Sequence, residues 1–190
     1  EKRGIIMENL YNLTNPQKSI WLTEQYYKGS NINNICGSLT IKQPLDFEKF
    51  KQAIQLFVEN NSSFRICLKM DNNEIKQYVK DFSYFDIDII DLKDEKSVKE
   101  YEHYLASLPL FDFDKLLFKF VIFRLPNGYG GFIINTHHII SDSWSLGITV
   151  NEIINYYSSL LKNTKYEQKK ILLCLKKLHN RKKLLDPSLN

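Results

Sequence analysis

Two apolar segments in the second half of the chain constrain its fold more than any other feature. They span residues 117–124 and 129–136, and Pro126-Asn127-Gly128 between them is typical of a tight turn. The sequence therefore predicts a β-hairpin whose second strand runs directly into His137-His138.

The histidine pair at the end of this strand is the first candidate site. Successive strand side chains point to opposite faces, so His137 and His138 cannot both address one substrate or one metal ion. One ring should face chemistry, because a neutral imidazole can take a proton from an amine or alcohol, or accept a hydrogen bond that aims it. The other should pack. The alternative is that both are hydrogen-bonded structural histidines. Asp142 follows the turn, where a carboxylate can pair with an arginine and fix the loop.

Apolar periodicity predicts alternating helices and strands around this hairpin. Four helices are predicted. The first starts at Pro16 after the capping residue Asn15 and stops by Gly29, and the second follows the capping residue Asp46. The third spans 97–108 and the fourth spans 146–161. The further predicted strands are 36–42, 64–70, 75–79 and 86–92. This order indicates an α/β fold with helices packed on a mixed sheet.

The last predicted helix begins just after Asp142-Ser143. Its first backbone N–H groups can stabilise negative charge on a carbonyl oxygen, or they can be capped by Ser141 or Ser143. We expect capping.

Length and composition limit the remaining possibilities. The 190 residues, 43% of them hydrophobic, suit one domain with a sizeable core. No run approaches the roughly 20 apolar residues that cross a bilayer, and no secretory signal pattern is present. Cys36, Cys67 and Cys174 form no CxxC pair, which favours a reducing, cytoplasmic location and argues against a zinc site.

The net charge of +4 comes from the C-terminal part of the chain. Nine of the 26 Lys and Arg residues lie from Lys162 onward, against only two acids. Residues 164–190 are therefore predicted to be a basic tail. Its leucines favour a basic amphipathic helix for nucleic acid or an anionic membrane, or simply a solvated tail. No aromatic interleaving or nucleic-acid motif accompanies it, and a solvated tail is the favoured interpretation, so we expect neither nucleic acid nor membrane as a partner.

The histidine stretch resembles a family signature. His137-His138-Ile139-Ile140-Ser141-Asp142, followed by Ser143-Trp144-Ser145, is similar to the HHxxxDG motif of nonribosomal peptide synthetase condensation domains, which belong to the chloramphenicol-acetyltransferase-like acyltransferases. Other motifs agree in order and spacing. They are Gln17 with Ile20-Trp21-Leu22, residues 60–68 with Phe64-Arg65, and Pro109-Leu110-Phe111-Asp112-Phe113.

The resemblance implies a domain organisation. It runs from about Tyr11 to Leu161 and implies the N-terminal lobe of the chloramphenicol-acetyltransferase-like fold at residues 11–163, after a leader or vector-derived remnant at 1–10. The family has a second lobe of similar size, so the resemblance implies that this lobe is missing, and we expect the chain alone to be inactive.

The resemblance also implies a reaction. An amine carried on the phosphopantetheine arm of a peptidyl carrier domain attacks a donor thioester, which is held on a second carrier domain. The chain itself would bind no cofactor and no metal. His138 would be the reactive residue, as a base or as a positioning group for the amine, and His137 would pack behind it. Asp142 would hold the loop through an arginine such as Arg65, for which a plain surface position is the alternative.

Two further departures from the family pattern affect the site. Ser143 stands where the family has glycine, so a side chain occupies a position that usually admits close backbone approach. Trp144 follows it in the motif. Asn60-Asn61-Ser62-Ser63 replaces the His-Glu part of the second motif, of which only Arg65 remains.

Two other functions are compatible with these motifs. One is a related acyltransferase that uses coenzyme A thioesters or an alcohol acceptor. The other is a non-catalytic remnant that binds a carrier protein without turnover.

Overall fold

The computed structural model describes residues 9–166. Its helices are α1 (Asn15–Tyr26), α2 (Phe47–Asn60), α3 (Glu95–Ser107) and α4 (Ser143–Leu161). Its strands are β1 (Tyr11–Asn12), β2 (Asn34–Ile41), β3 (Ile66–Asp71), β4 (Glu74–Val79), β5 (Asp88–Asp91), β6 (Phe118–Arg124) and β7 (Gly130–His137). A short 3-10 helix, Ser62–Arg65, precedes β3.

The main sheet has four strands in the order β2-β7-β6-β5. Strands β5 and β6 are parallel and the other pairs are antiparallel. The predicted hairpin is present as β6 and β7, and all eight residues of β7 are buried. Helices α2 and α4 pack on one face and α3 on the other. This is the predicted α/β arrangement with helices on a mixed sheet.

An aromatic core fixes α2 and α4 against β7. The Phe50 ring lies 6.0 Å from Phe132 and 5.1 Å from Tyr157, measured between ring centroids. The Tyr157 hydroxyl accepts a hydrogen bond of 2.9 Å from the backbone N–H of Asp46, the residue that caps α2 as predicted. These contacts hold the C-terminal half of α4 on the sheet, and its N-terminus follows the end of β7 after the short turn of residues 138–142.

A second, three-stranded sheet of order β1-β4-β3 packs beside α1. A small apolar cluster of Leu13, Leu68, Leu117 and Ile139 joins these elements to the turn that follows β7. Trp21 of α1 belongs to the same cluster and contacts Phe111 and Phe113 at ring-centroid distances of 5.5 and 5.8 Å. Helix α1 is thereby fixed against the segment before β6 and, through the cluster that includes Ile139, against the turn after β7.

Two predicted helix starts are wrong. Thr14, rather than Asn15, caps α1, because its side chain accepts from the Gln17 N–H while the Gln17 side chain accepts from the Thr14 N–H. Asp142, rather than Ser141 or Ser143, caps α4. In both cases the capping residue has an extended backbone, and its side-chain oxygen accepts a hydrogen bond from a backbone N–H in the first turn of the helix.

Two predicted segments lie mostly outside the described residues, namely 1–10 and 164–190. The first residues of the predicted tail are described and pack on α4. The Tyr166 ring lies 4.8 Å from the Tyr156 ring, and its hydroxyl donates to Glu152 Oε1 at 3.1 Å.

Candidate functional site

The candidate site is the turn of residues 138–142, between the end of β7 and the start of α4. Its backbone is tied to three parts of the protein. The His138 N–H donates to the Asn33 carbonyl at 2.7 Å, the Ile140 N–H donates to the His137 carbonyl at 3.1 Å, and Gln17 Nε2 donates to the Ile139 carbonyl at 3.1 Å. These bonds fix the direction in which His138 leaves the strand. We call residues 137–142, which are the last residue of β7 and this turn, the histidine turn.

The two rings have different surroundings, as predicted, although the reason is that β7 ends at His137 and His138 begins the turn. His137 is 1% exposed, whereas His138 is exposed. Only His138 can therefore meet a molecule that approaches this surface.

The contacts of His137 define its protonation. Its Nδ1 accepts a hydrogen bond from the Ile139 N–H at 3.2 Å, so the proton of the neutral ring lies on Nε2, which donates to Glu24 Oε2 at 3.1 Å. Burial lowers the pKa of His137 below its ordinary value, and the Glu24 carboxylate opposes this only in part. His137 is a neutral, buried link between α1 and the histidine turn.

The contacts of His138 leave one nitrogen available. Its Nδ1 lies 3.0 Å from the Ser141 carbonyl oxygen, which can only accept, so Nδ1 carries the proton. In the neutral ring Nε2 then has a free lone pair, and no residue in the range 9–166 bonds to it. This exposed nitrogen can accept a proton or a hydrogen bond from an approaching N–H or O–H group.

Asp142 is a structural residue, but its expected ion pair with Arg65 is wrong. The Asp142 carboxylate accepts from the Ser145 N–H at 2.8 Å and from the Ser145 hydroxyl at 2.7 Å, and these bonds lower the pKa of Asp142. Arg65 lies in the 3-10 helix, where its Nη1 donates to the Lys80 carbonyl at 2.8 Å. No ion pair joins these two described residues. Asp142 instead fixes the histidine turn by starting α4.

Ser143 and Trp144 form the first turn of α4, shortly after His138 in the chain. Ser143 is exposed, and the helix start accommodates its side chain without a positive φ angle. Trp144 is 81% exposed, so it packs little against the described part of the chain. Both side chains therefore lie at the protein surface.

Three residues that bond to the histidine turn were not predicted to do so: Gln17, Glu24 and Asn33; Gln77 in turn bonds to the Gln17 side chain. A signal was present in α1. Gln17, Ile20, Trp21 and Glu24 follow the spacing of a buried helix face, and two of the four are polar. Polar residues at such positions need buried partners, and Glu24 is 3% exposed.

Three further features of residues 9–166 concern metal binding, membrane insertion and cysteine reactivity. No group of three or more His, Cys, Asp or Glu side chains there is arranged to hold a metal ion. No helix in the same range is long and apolar enough to cross a membrane. Burial raises the pKa of the Cys36 thiol to about 12, so Cys36 is a poor nucleophile.

Known sequences include clear relatives of this chain. The sequence profile of the family described as "Condensation domain" matches residues 7–172. Surfactin synthase subunit 1 of Bacillus subtilis (strain 168) is 35% identical over 159 residues, which are 79% of this chain and 4% of that protein. Tyrocidine synthase 3 of Brevibacillus parabrevis is 27% identical over 152 residues, or 80% of this chain and 2% of that protein.

Solved structures show the same fold. The starter condensation domain of rhizomide synthetase RzmA is similar with a TM-score of 0.83 and 18% identity, over 92% of this chain and 44% of that one. The first condensation domain of the CDA synthetase gives a TM-score of 0.77 and 18% identity, over 85% of this chain and 42% of that one. The likeness confirms the predicted fold. The chain spans less than half of each solved chain and a few per cent of each curated relative.

Proposed function

Since this chain belongs to the condensation-domain family of nonribosomal peptide synthetases, we propose that it supplies His138 to amide-bond formation between two carrier-bound substrates. The donor is an aminoacyl or peptidyl thioester and the acceptor is an amine. Both arrive on the phosphopantetheine arms of peptidyl carrier domains. The observation that carries the proposal is the Nε2 of the exposed residue His138, whose lone pair is free because Nδ1–H is bound to the Ser141 carbonyl.

The proposed reaction uses that lone pair at the amine. The acceptor nitrogen attacks the thioester carbonyl carbon, a C–N bond forms, and the C–S bond then breaks. Nε2 either accepts a hydrogen bond from the amine N–H, which aims the nitrogen lone pair, or takes the proton from the amine. The proton lost by the amine ends on the departing thiolate, so no covalent bond to the protein is needed.

The surroundings of His138 favour this role. When Nε2 takes up a proton, positive charge spreads over the ring, and the Ser141 carbonyl oxygen on Nδ1–H stabilises that charge. The Asp142 carboxylate is itself bound to Ser145 in the first turn of α4. Neither group blocks the exposed side of the ring.

The proposal includes partners beyond the printed sequence. We propose that a second lobe supplies the opposite wall of a channel over His138, because the chain matches only 44% of a solved condensation domain. We also propose a cytoplasmic location, which the absence of paired cysteine motifs favours.

The test uses the intact parent synthetase with loaded donor and acceptor carriers. We expect His138→Ala to abolish the carrier-bound amide product, measured by mass spectrometry. His103→Ala is the matched control, because His103 is an exposed histidine on α3. Product formation by His138→Ala at the rate of the control would reject the proposed role of His138. Product made from coenzyme A thioesters alone would favour a related acyltransferase, and carrier binding without product in the unaltered parent would favour a non-catalytic module.

A further inference from the structure

Helix α1 carries two polar side chains on its packed face, and both reach the histidine turn. Gln17 Nε2 donates to the Ile139 carbonyl at 3.1 Å, and Glu24 Oε2 lies 3.1 Å from His137 Nε2. The two residues are seven positions apart, about two helical turns, and so lie on the same side of α1. One rigid helix therefore contacts the turn immediately before and immediately after His138.

Glu24 has a second buried contact. The same carboxylate oxygen accepts a hydrogen bond of 2.8 Å from Asn33 Nδ2, and Asn33 is 8% exposed. The backbone carbonyl of Asn33 accepts from the His138 N–H at 2.7 Å. Through His137, Glu24 also acts on the Ile139 N–H, which bonds to His137 Nδ1 at 3.2 Å. One carboxylate oxygen thus orients the partners of two consecutive backbone N–H groups.

Core packing alone does not explain an acid at this position. Ile20 and Trp21 on the same face of α1 pack with an apolar cluster, and an apolar residue at position 24 would bury surface without the cost of desolvating a carboxyl group. What Glu24 adds is direction, because its two hydrogen bonds fix His137 and Asn33 on either side of the histidine turn.

We propose that Glu24 is a positioning residue for His138. By holding His137 and Asn33, it fixes the backbone N–H groups of His138 and Ile139, so that His138 keeps Nδ1–H on the Ser141 carbonyl and Nε2 outward. The effect of this positioning on catalysis rests on the proposed function. The effect of Glu24 on the orientation and tautomer of His138 is tested without turnover.

The first experiment observes the His138 ring by long-range 1H–15N NMR in the 190-residue chain. We expect the Nδ1–H form in the unaltered chain and in Glu24→Gln, which keeps a side-chain oxygen acceptor. Glu24→Leu should shift the ring towards a mixture of both tautomers. The matched control is Gln55→Leu, because Gln55 is a buried α2 residue, 5% exposed, that donates to the Phe85 carbonyl away from the turn.

Two outcomes would overturn the proposal: retention of the Nδ1–H form in folded Glu24→Leu, or an equal shift in Gln55→Leu. If Glu24→Leu does not fold, Asn33→Ala takes its place. It removes only the Asn33 side-chain bond to Glu24, and an intermediate shift is expected. An unchanged tautomer in Asn33→Ala would then overturn the proposal.

The second experiment measures turnover in the intact parent. Glu24→Leu should lower kcat by roughly 10- to 100-fold with little change in the KM for the acceptor, since misplacement of a reacting group affects the chemical step. Glu24→Gln should restore most of the rate. A tautomer shift without any loss of kcat would reject the catalytic meaning of the positioning, while an active His138→Ala parent would reject the proposed function instead.

Discussion

Two adjacent histidines in this chain have opposite environments because His137 ends the buried strand β7 and His138 begins the exposed turn after it. His137 is buried, with both ring nitrogens bonded inside the protein, whereas His138 is exposed and bonded at Nδ1 only. The sequence predicted that the two side chains diverge, but it attributed this to strand alternation, whereas β7 is buried on both faces and His138 is exposed because the strand ends before it. The tautomer of each ring was not predictable, because it depends on Glu24 and Ser141, whose positions follow from tertiary structure and from the turn.

The lowered pKa of His137 predicts a pH dependence of stability. Because the folded pKa lies below the ordinary value of about 6.5, the unfolded chain binds more protons as the pH falls, and the free energy of unfolding decreases. The stabilisation is complete above pH 6.5 and is lost as the pH falls from there towards the folded pKa. In His137→Gln this part of the pH dependence should be absent, so the stability difference between the two proteins should narrow at lower pH.

Urea unfolding of both proteins at pH 7.5, 6.5 and 5.5 measures this difference. His103→Gln, on the exposed side of α3, is a suitable control. Parallel pH profiles for His137→Gln and the unaltered chain would show that His137 is not the group responsible.

Among the helices and strands, the start of α4 fixes the C-terminal end of the histidine turn. Asp142 makes two hydrogen bonds to Ser145 at this helix start. Sequence reasoning identified Asp142 as structural but assigned it the wrong partner. A carboxylate one residue before a helix has a local acceptor role that needs no distant arginine, and the predicted helix start was too late to reveal it.

We predict that Asp142→Ala destabilises the chain by about 0.5–2 kcal/mol, the usual cost of losing an N-cap side chain. Asp142→Asn should retain most of the stability. Because Asp142 and Arg65 share no described partner, the costs of Asp142→Ala and Arg65→Ala should add to within about 0.3–0.5 kcal/mol in the double variant. Denaturant unfolding of the three variants measures this. A cost in the double variant clearly below the sum of the two single costs would show that Asp142 and Arg65 interact.

The pairing of β2 with β7 depends on a close backbone approach at Gly131. A Cβ atom added there would collide with the Leu39 backbone oxygen, whereas a Cβ added at Gly37 of β2 would meet open space. Gly131→Ala should therefore cost about 1–3 kcal/mol or more, since overpacking forces the backbone to shift. Gly37→Ala should be nearly neutral. Equal midpoints for the two variants in urea would argue against the close approach.

For the molecule as a whole, the sequence predicted the class of fold better than its topology. Helices and strands were identified from apolar periodicity, and the β6–β7 hairpin from its turn. The pairing of β2 with β7 joins segments far apart in sequence, and the separate β1-β4-β3 sheet includes a strand of only two residues. Such contacts depend on how surfaces pack, which a single sequence pattern does not specify.

We predict that the 190-residue chain alone forms no amide bonds. His138 is exposed in the described part of the chain, so water reaches it and neither thioester arm is held in an attacking position. Loss of orientation alone can remove roughly 7–11 kcal/mol of catalysis. Incubation with loaded donor and acceptor carriers tests this, and product above the level of a His138→Ala chain would show that these residues suffice.

In the proposed reaction Nε2 of His138 does the chemistry, while Nδ1–H only anchors the ring. The decisive measurement is the single-turnover rate of amide formation by the intact parent carrying His138→Asn. The asparagine side-chain amide can still donate to the Ser141 carbonyl in place of Nδ1–H, but it has no group at the position of Nε2. We predict that His138→Asn is as inactive as His138→Ala while folding normally. A rate close to that of the unaltered parent would show that Nε2 is not the reactive group.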